Sequence, residues 1–455
     1  MKKPQRAAAA DLAKQEAMKA PGLAARLAAA AILRDVTVSG HTLDEVFAAP
    51  MGLSRLGGLA PRDIPLIRSI VTAALRRLGT IRHALAALLD DGFPRSAPQL
   101  EWTLTVAAAQ ILFLDVPDHA AVDLAVRMAR LDSKCAPYAA LVNGVARNLI
   151  RRREEFLAVG PALDIDTPAW LAARWRKAYG EEMAQAIATA NRLEPTLDIS
   201  VKSDPAQWAE KLDAVLLPTG SIRLKSHQPI QELCGYEDGA WWVQDAAAAL
   251  PAQLLNVTPG LHIGDLCSAP GGKAAQLAAR GARVTAVDRS AERLKLLAAN
   301  FQRLQLEAEV VVADVTTFSG PTFDAVLLDA PCSGTGTIRR HPDIAWIKKT
   351  GDIAKLVTLQ ARMLDKAFDL VKRGGTIIYC VCSIEPEEGE QQIANLLRRN
   401  PDVSRVPISA EEVGGQTDFI NALGELRTLQ PYLPAEEPRL SGIDGFFAAR
   451  LVRQS

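Results

Sequence analysis

The stretch FDAVLLDAPCSGTGTIRR, residues 323–340, decides how this chain is read. Residues 325–328 are a short apolar run, the pattern of a strand buried on both faces. The run hands over to Asp329, Ala330, Pro331 and Cys332, and then to a glycine-rich turn. Open α/β sheets place their chemistry at the carboxyl ends of such strands. Taken alone, the stretch makes Cys332 the first candidate for a nucleophile.

Outward from it, strand-like and helix-like segments alternate. Residues 262–266, 283–287, 309–312, 325–329 and 376–381 read as strands. Residues 274–280, 291–304, 352–371 and 387–398 read as helices. This alternation predicts an α/β domain, with a mostly parallel sheet covered on both faces. The first strand runs into DLCSAPGGK, residues 265–273, whose Gly271 and Gly272 allow close backbone approach and open a helix. Asp265, Asp288 and Asp314 stand at three consecutive strand ends. One such Asp is ordinarily a surface residue or a helix cap. Three around one glycine turn point to a nucleoside cofactor, with Asp288 suited to a ribose diol and Asp314 to an adenine amino group. The turn is neither G-x-G-x-x-G nor a P-loop, and a proline before the two glycines leaves little cradle for phosphate. S-adenosyl-L-methionine has a ribose and an adenine but no phosphate.

CSAPGGK, residues 267–273, resembles the C-A-A-P-G-G-K motif of the RNA cytosine-5 methyltransferases. The resemblance carries over Cys267, Ser268, Ala269, Pro270, Gly271, Gly272 and Lys273 as cofactor-contacting residues. Arg293, in DRSAERL (residues 288–294), comes with them; its plain alternative is a solvated helix arginine. DAPCSGTGTIRRHPDI (329–344) resembles the family's Pro-Cys motif and VCSIEPEEGE (381–390) its Thr-Cys-Ser motif. GAWWVQDAAAAL (239–250) and IDGFFAARL (443–451) resemble its flanking segments, so close matches cover 229–455. The implied fold is a Rossmann-like class I methyltransferase domain with a seven-stranded sheet.

The chemistry of that family needs two thiols. Carbon 5 of cytosine is too weak a nucleophile to take a methyl group, and a thiolate added at carbon 6 makes it enamine-like. A proton delivered to ring nitrogen 3 assists, which suits Asp329. The proton on carbon 5 must then leave so that the thiolate is expelled. The resemblance assigns attack to Cys382 and product release to Cys332, with Pro331 shaping the base pocket. A lone cysteine is more often a small buried hydrophobe; two Cys-Ser pairs at strand ends beside the glycine turn are harder to read so. Cys380 and Cys382, one residue apart with no nearby His, are poorly spaced for zinc, and no metal is expected. The chain departs from the family pattern at Val381, usually Thr, and at Gly389, usually Asn.

The remaining sequence sets the context. The 455 residues predict two or three domains, and 49% hydrophobic residues suffice for real cores. A formal net charge of +0 advertises no nucleic-acid partner, so RNA must be met by local patches. No apolar run approaches the roughly 18 residues of a membrane span. Residues 1–20 are charged and Ala-rich and lack a signal-peptide core. The cysteine pattern fits a reducing cytoplasm.

Residues 20–158 read as all helix, punctuated at Gly57-Gly58 and Phe93-Pro94. RDIPLIRSIVTAALRRLGTIRHAL (62–85) and YAALVNGVARNLIRRR (138–153) resemble helices of the NusB-like RNA-binding domain, which places the chain with the Sun/Fmu type of bacterial ribosomal small-subunit enzymes. Their arginines read either as a solvated face or as phosphate contacts. Residues 159–235 read as a small α+β connector, RRM-like, and 236–455 as the methyltransferase domain. Arg339, Arg340, His341 and Lys348, with Lys349, are candidate RNA contacts beside the Pro-Cys turn.

The expectation is a monomeric cytoplasmic enzyme, free of metal and membrane. It methylates carbon 5 of a cytosine in 16S ribosomal RNA, before or during subunit assembly, through a covalent Cys–carbon 6 adduct. The rivals are a transfer-RNA cytosine-5 methyltransferase, a non-catalytic assembly factor of this fold, and a DNA cytosine methyltransferase; the second downstream cysteine speaks against the last.

Overall fold

The computed structural model describes residues 20–48, 59, 62–225 and 228–454. The leader 1–19 and Gly57-Gly58 lie outside the described residues. The chain forms two compact units: one runs to Arg192 and adds His341–Lys348, and the other holds Leu193–Arg340 and Lys349–Ser455.

The first unit is helical. The helix Gln99–Phe113 is buried almost all round, from Leu100 to Leu112, and so forms the centre of the bundle. The helices Leu23–Arg34, Asp63–Arg76, Asp118–Leu131 and Ala139–Arg151 each bury one stripe in the same core. The helix Ala169–Asn191 belongs to this unit and breaks at Gly180, where φ is 78°. The carboxylate of Asp166 ties the unit together: it accepts from Thr80 N–H and Oγ1 (2.7 and 2.9 Å) and from Arg192 Nε (2.7 Å). The segment His341–Lys348 packs here too, with Trp346 Nε1 donating to the Leu75 carbonyl at 2.8 Å and Asp343 accepting from Leu43 N–H at 3.0 Å.

The second unit begins with a four-stranded antiparallel sheet of β1 (Asp198–Val201), β2 (Val215–Leu216), β3 (Ile222–Arg223) and β4 (Trp241–Val243), in the order β2-β3-β1-β4. Its Asp198 and Arg223 face each other in register and form a buried two-point ion pair of 2.7 and 2.8 Å. The connector expected over 159–235 is therefore divided. Its helices up to Asn191 fall with the bundle, while its strands, with the helix Pro205–Lys211, fall with the second unit, whose small sheet extends to Val243.

The main sheet contains β5 (His262–Leu266), β6 (Arg283–Asp288), β7 (Glu309–Val312), β8 (Phe323–Asp329), β9 (Val371–Val381), β10 (Val403–Arg405), β11 (Leu426–Thr428) and β12 (Phe446–Arg453). Strands β7, β6, β5, β8 and β9 are parallel neighbours, and β12 lies antiparallel to β9. Strand β11 pairs with β12 beside β10, which brings the count to eight. It is only three residues long, too short for an alternation signal. The apolar residues of β5, β8 and β9 point alternately into two cores: Ile263, Ala325, Leu327 and Ile378 into one, Leu266, Val326, Leu328 and Ile377 into the other. That is why the central strands read as continuous apolar runs. The carboxyl ends of the parallel neighbours β5, β6, β8 and β9 leave Cys267, Asp288, Asp329 and Cys382 along one edge of the sheet.

No helix among the described residues is long and apolar enough to cross a membrane.

Candidate active site

The turn after β5 is held from within. Asp288, buried at the end of β6, accepts from Ala269 N–H (3.2 Å) and from Ser290 N–H (2.9 Å). Arg293 donates to the Ala269 carbonyl and lies 3.8 Å from Asp288. Cys267 is forced to φ 64°, a conformation that is rare outside glycine and clusters at functional turns. The helix Gly272–Ala279 starts immediately afterwards, with its free N–H groups facing the turn.

A cavity of about 300 Å³ opens against this turn. It is lined by Ser268, Gly271, Gly272, Lys273, Asp329 and Asp265, with Tyr236, Trp242, Asn300 and Arg303 across from them. Asp265 is 0% exposed; its Oδ2 accepts from Ser268 Oγ at 2.7 Å, and its Oδ1 has no hydrogen-bond partner. Burial, only partly offset by the Ser268 hydrogen bond and reinforced by nearby Asp329, pushes its carboxyl up to about 7. An orphaned buried acceptor on a cavity wall calls for a ligand donor. Acceptors at Asp265 and Asp329, with helix N–H groups for a carboxylate, fit S-adenosylmethionine, which carries an ammonium, a ribose diol and a carboxylate. Cys267, Asp288, Arg293 and Asp314 stand off the cavity wall. Asp314 is exposed and closes its own turn, accepting from Thr316 N–H (2.8 Å) and Oγ1 (2.7 Å).

The reacting edge lies at the ends of β8 and β9. Lys273 Nζ donates to Asp329 Oδ2 at 2.8 Å, and Cys380 Sγ lies 3.6 Å from Asp329 Oδ1. Burial opposes the charge on Lys273, but the adjacent Asp329 carboxylate outweighs it and raises the lysine pKa overall. The ammonium also sits 5.0 Å from the centre of the Phe446 ring. Cys332 Sγ and Cys382 Sγ are 3.3 Å apart. The Cys332 pKa is held well above the ordinary thiol range, first by the contact with Cys382 and then by burial. Cys380 is fully buried, and burial raises its pKa.

Two glycines explain how the cysteine turns meet. A Cβ on Gly336 would stand 1.8 Å from the Gly445 carbonyl oxygen, while Gly336 N–H donates to the Cys382 carbonyl at 3.1 Å. The Pro-Cys turn is thus pressed directly onto the Cys382 turn. A Cβ on Gly389 would come within 2.5 Å of Arg427 Nη2. Arg427 occupies the space an Asn would need, and donates to Ser383 O (2.6 Å) and, from two nitrogens, to Glu390 (3.0 and 2.7 Å). Val381 is fully buried in the sheet.

The expected RNA contacts divide. Arg339 is 2% exposed and donates to the Ser441 carbonyl at 2.9 Å. Arg340 reaches Asp245 Oδ2 (2.5 Å), Asp444 Oδ2 (3.0 Å) and the Thr196 carbonyl (3.0 Å). Both are structural cations inside the unit, and the phosphate reading of Arg339 and Arg340 is corrected accordingly. The nearby acids Asp245 and Asp444 are far from them in sequence, which hid the pairing. His341 lies 3.8 Å from Asp44, while Lys348 is half-buried and Lys349 exposed. Sequence reasoning missed Asn300, Arg303 and the Glu388 network described below; Asn300 and Arg303 belong to no quoted motif, and Glu388 lies in one whose acidic run gave it no separate role.

The family model described as 16S rRNA methyltransferase RsmB/F matches residues 252–452, and the NusB family model matches residues 23–151. The chain is 33% identical over 449 residues to the Vibrio cholerae protein named ribosomal RNA small subunit methyltransferase B, covering 94% of this chain and 97% of that one. It is 34% identical over 414 residues to the Shigella flexneri protein of the same name, covering 87% and 92%. The solved structure titled PH0851 superposes with a TM-score of 0.71 at 21% identity, covering 95% of this chain and 99% of that one.

Proposed function

Because the chain belongs to the 16S rRNA methyltransferase RsmB/F family, we propose that it methylates carbon 5 of a cytosine in small-subunit ribosomal RNA by covalent catalysis between Cys382 and Cys332. The observation that carries the reading is the 3.3 Å separation of the two sulfurs beside the Lys273–Asp329 pair. S-adenosyl-L-methionine, bound at the 267–273 turn, supplies an electrophilic methyl group.

The protein's own residues do the rest. Cys382 attacks carbon 6 as a thiolate once its proton is lost to solvent, while the contact with Cys382 and burial keep the Cys332 proton in place. As the Cys382–carbon 6 bond forms, the carbon 5–carbon 6 π electrons become available at carbon 5. Negative charge gathers on the ring at nitrogen 3, where the Lys273–Asp329 pair delivers a proton or its hydrogen-bond equivalent. After transfer Cys332, its own proton first lost to solvent, takes the carbon 5 proton as base, the carbon 5–hydrogen electron pair re-forms the double bond, and Cys382 leaves carbon 6 as a thiolate. Cys332 serves this release, and Pro331 fixes the turn that brings it close. The cytosine must be splayed from its stack to reach these groups. That requirement favours small-subunit RNA before or during assembly as the substrate, while the base can still be splayed out. With Arg339 and Arg340 committed inside the fold, Lys348 and His341 remain the RNA contacts of this reading.

Bisulfite mapping of 16S RNA from cells lacking the protein tests the assignment. One 5-methylcytosine should vanish and return with the wild-type gene but not with Cys382→Ala. An unchanged methylation pattern would refute it.

A further inference from the structure

Glu388 carries no role in the family motif as read from sequence, yet it sits where both cysteine turns converge. It is 0% exposed. Its Oε1 accepts from Ser333 N–H at 2.9 Å and from Gln360 Nε2 at 3.0 Å. Its Oε2 accepts from Ser333 Oγ at 2.5 Å and from Ser383 Oγ at 2.6 Å. Ser333 follows Cys332, and Ser383 follows Cys382. The network continues: Gln360 also donates to the Pro331 carbonyl at 2.9 Å, and Ser383 Oγ accepts from Glu385 N–H at 3.0 Å. Tyr379 Oη, from β9, donates to the Glu388 carbonyl at 2.6 Å and pins the backbone. All four groups on the carboxylate are neutral donors. A carboxylate accepts on both oxygens, whereas an amide in the same place would turn an N–H group toward a donor.

We propose that Glu388 is a positioning residue, which clamps the Cys332 and Cys382 turns together and sets the separation of their sulfurs. This rests on the two-cysteine reading of the reaction. The clamp acts through the residue after each cysteine, so it governs geometry without touching the base. It also explains a detail of the fold. The helix expected from 387 begins only at Glu390, because Glu388 is held out of it and turned inward.

The test compares Glu388→Gln and Glu388→Asp with wild type, with Ser383→Ala as a milder variant that removes one donor. Glu388→Gln should lose about 100-fold in kcat, the scale of a small misplacement of reacting groups. Its KM for RNA and its affinity for S-adenosylmethionine should stay within about twofold, a range too small to register as a tenth of that loss. Glu388→Asp, which keeps the carboxylate on a shorter arm, should recover part of the rate. Diamide should oxidise the Cys332–Cys382 pair to a disulfide, itself becoming the hydrazine, more slowly in Glu388→Gln than in wild type, as read by mass spectrometry. If Glu388→Gln does not fold, Ser383→Ala decides, with an expected kcat loss of several-fold at unchanged KM. Full kcat in the folded variants, or equal diamide rates, overturns the proposal. Activity in Cys382→Ala would instead overturn the two-cysteine reading, so the two failures are distinguishable.

Discussion

The sulfur of Cys332 lies 3.3 Å from the sulfur of Cys382, though 50 residues separate them in the chain. The contact is made by neighbouring strand ends, and it is reinforced by Gly336 N–H on the Cys382 carbonyl. One site thus presents two thiols to one base. The contact with Cys382 and burial both raise the Cys332 pKa, and in the proposed mechanism the two sulfurs have different tasks.

The first prediction follows from that division. Cys382→Ala should abolish methyl transfer, because the attacking thiolate of the proposed mechanism is gone. Cys332→Ala should still attack but fail to release. A denaturing gel of Cys332→Ala with target RNA and S-adenosylmethionine should show a slow protein–RNA band, absent from the double variant. Normal turnover without such a band would reject the release role of Cys332.

The Lys273–Asp329 pair carries the second. A positioned general acid contributes about 10²–10⁴-fold. Asp329→Asn and Lys273→Met should therefore each lower kcat by about 100-fold or more. Because the two act as one unit, the double variant should lose little beyond either single one. Fully multiplicative losses, measured in single-turnover assays, would separate their roles.

Arg340 supplies the third. It joins two buried carboxylates, Asp245 and Asp444. Removing one member of such a cluster costs about 3–5 kcal/mol, because a charge is left uncompensated. Arg340→Ala should lower the melting temperature of the catalytic unit while leaving the salt slope of RNA binding unchanged. A phosphate contact would do the reverse: each one lost makes the slope shallower by about one. Lys348→Ala should show that shallower slope with no loss of stability.

Much of this site was legible in the sequence because local chemistry wrote it there. Apolar runs ending in Asp265, Asp288 and Asp329 named the strand ends, and the glycine turn and the two Cys-Ser pairs named the chemistry. What sequence hid is long-range pairing. Nothing near Arg340 announces Asp245 or Asp444, roughly a hundred residues away on either side, so its charge read as free. Glu388 was concealed differently: it lies in the acidic run EPEEGE, where exposed charge is the ordinary reading, although Glu385 and Glu388 are both buried. Strands β3 and β4 are too short for periodicity to register; the Asp198–Arg223 pair fastens β3 to β1, and β4 is placed by its ladder on the other side of β1.

Asp265 gives the last prediction, a dependence on pH. In the folded protein its carboxyl titrates at about 7, well above the ordinary aspartate range, chiefly because it is buried. The folded state therefore holds a proton that the unfolded chain has already lost between about pH 4 and pH 7. The sign follows: this group's contribution is fully present below pH 4 and is lost as pH rises toward 7. The full swing is about 4 kcal/mol at most. Asp265→Asn keeps the shape and removes the titration, so the melting temperature of the catalytic unit should decline less across that window than in wild type. The same variant replaces one acceptor at the cavity with an amide, and S-adenosylmethionine should bind it more weakly. Parallel melting profiles for the two proteins from pH 4 to 8, measured without cofactor, would show that Asp265 is ionised throughout, with its Oδ1 already satisfied.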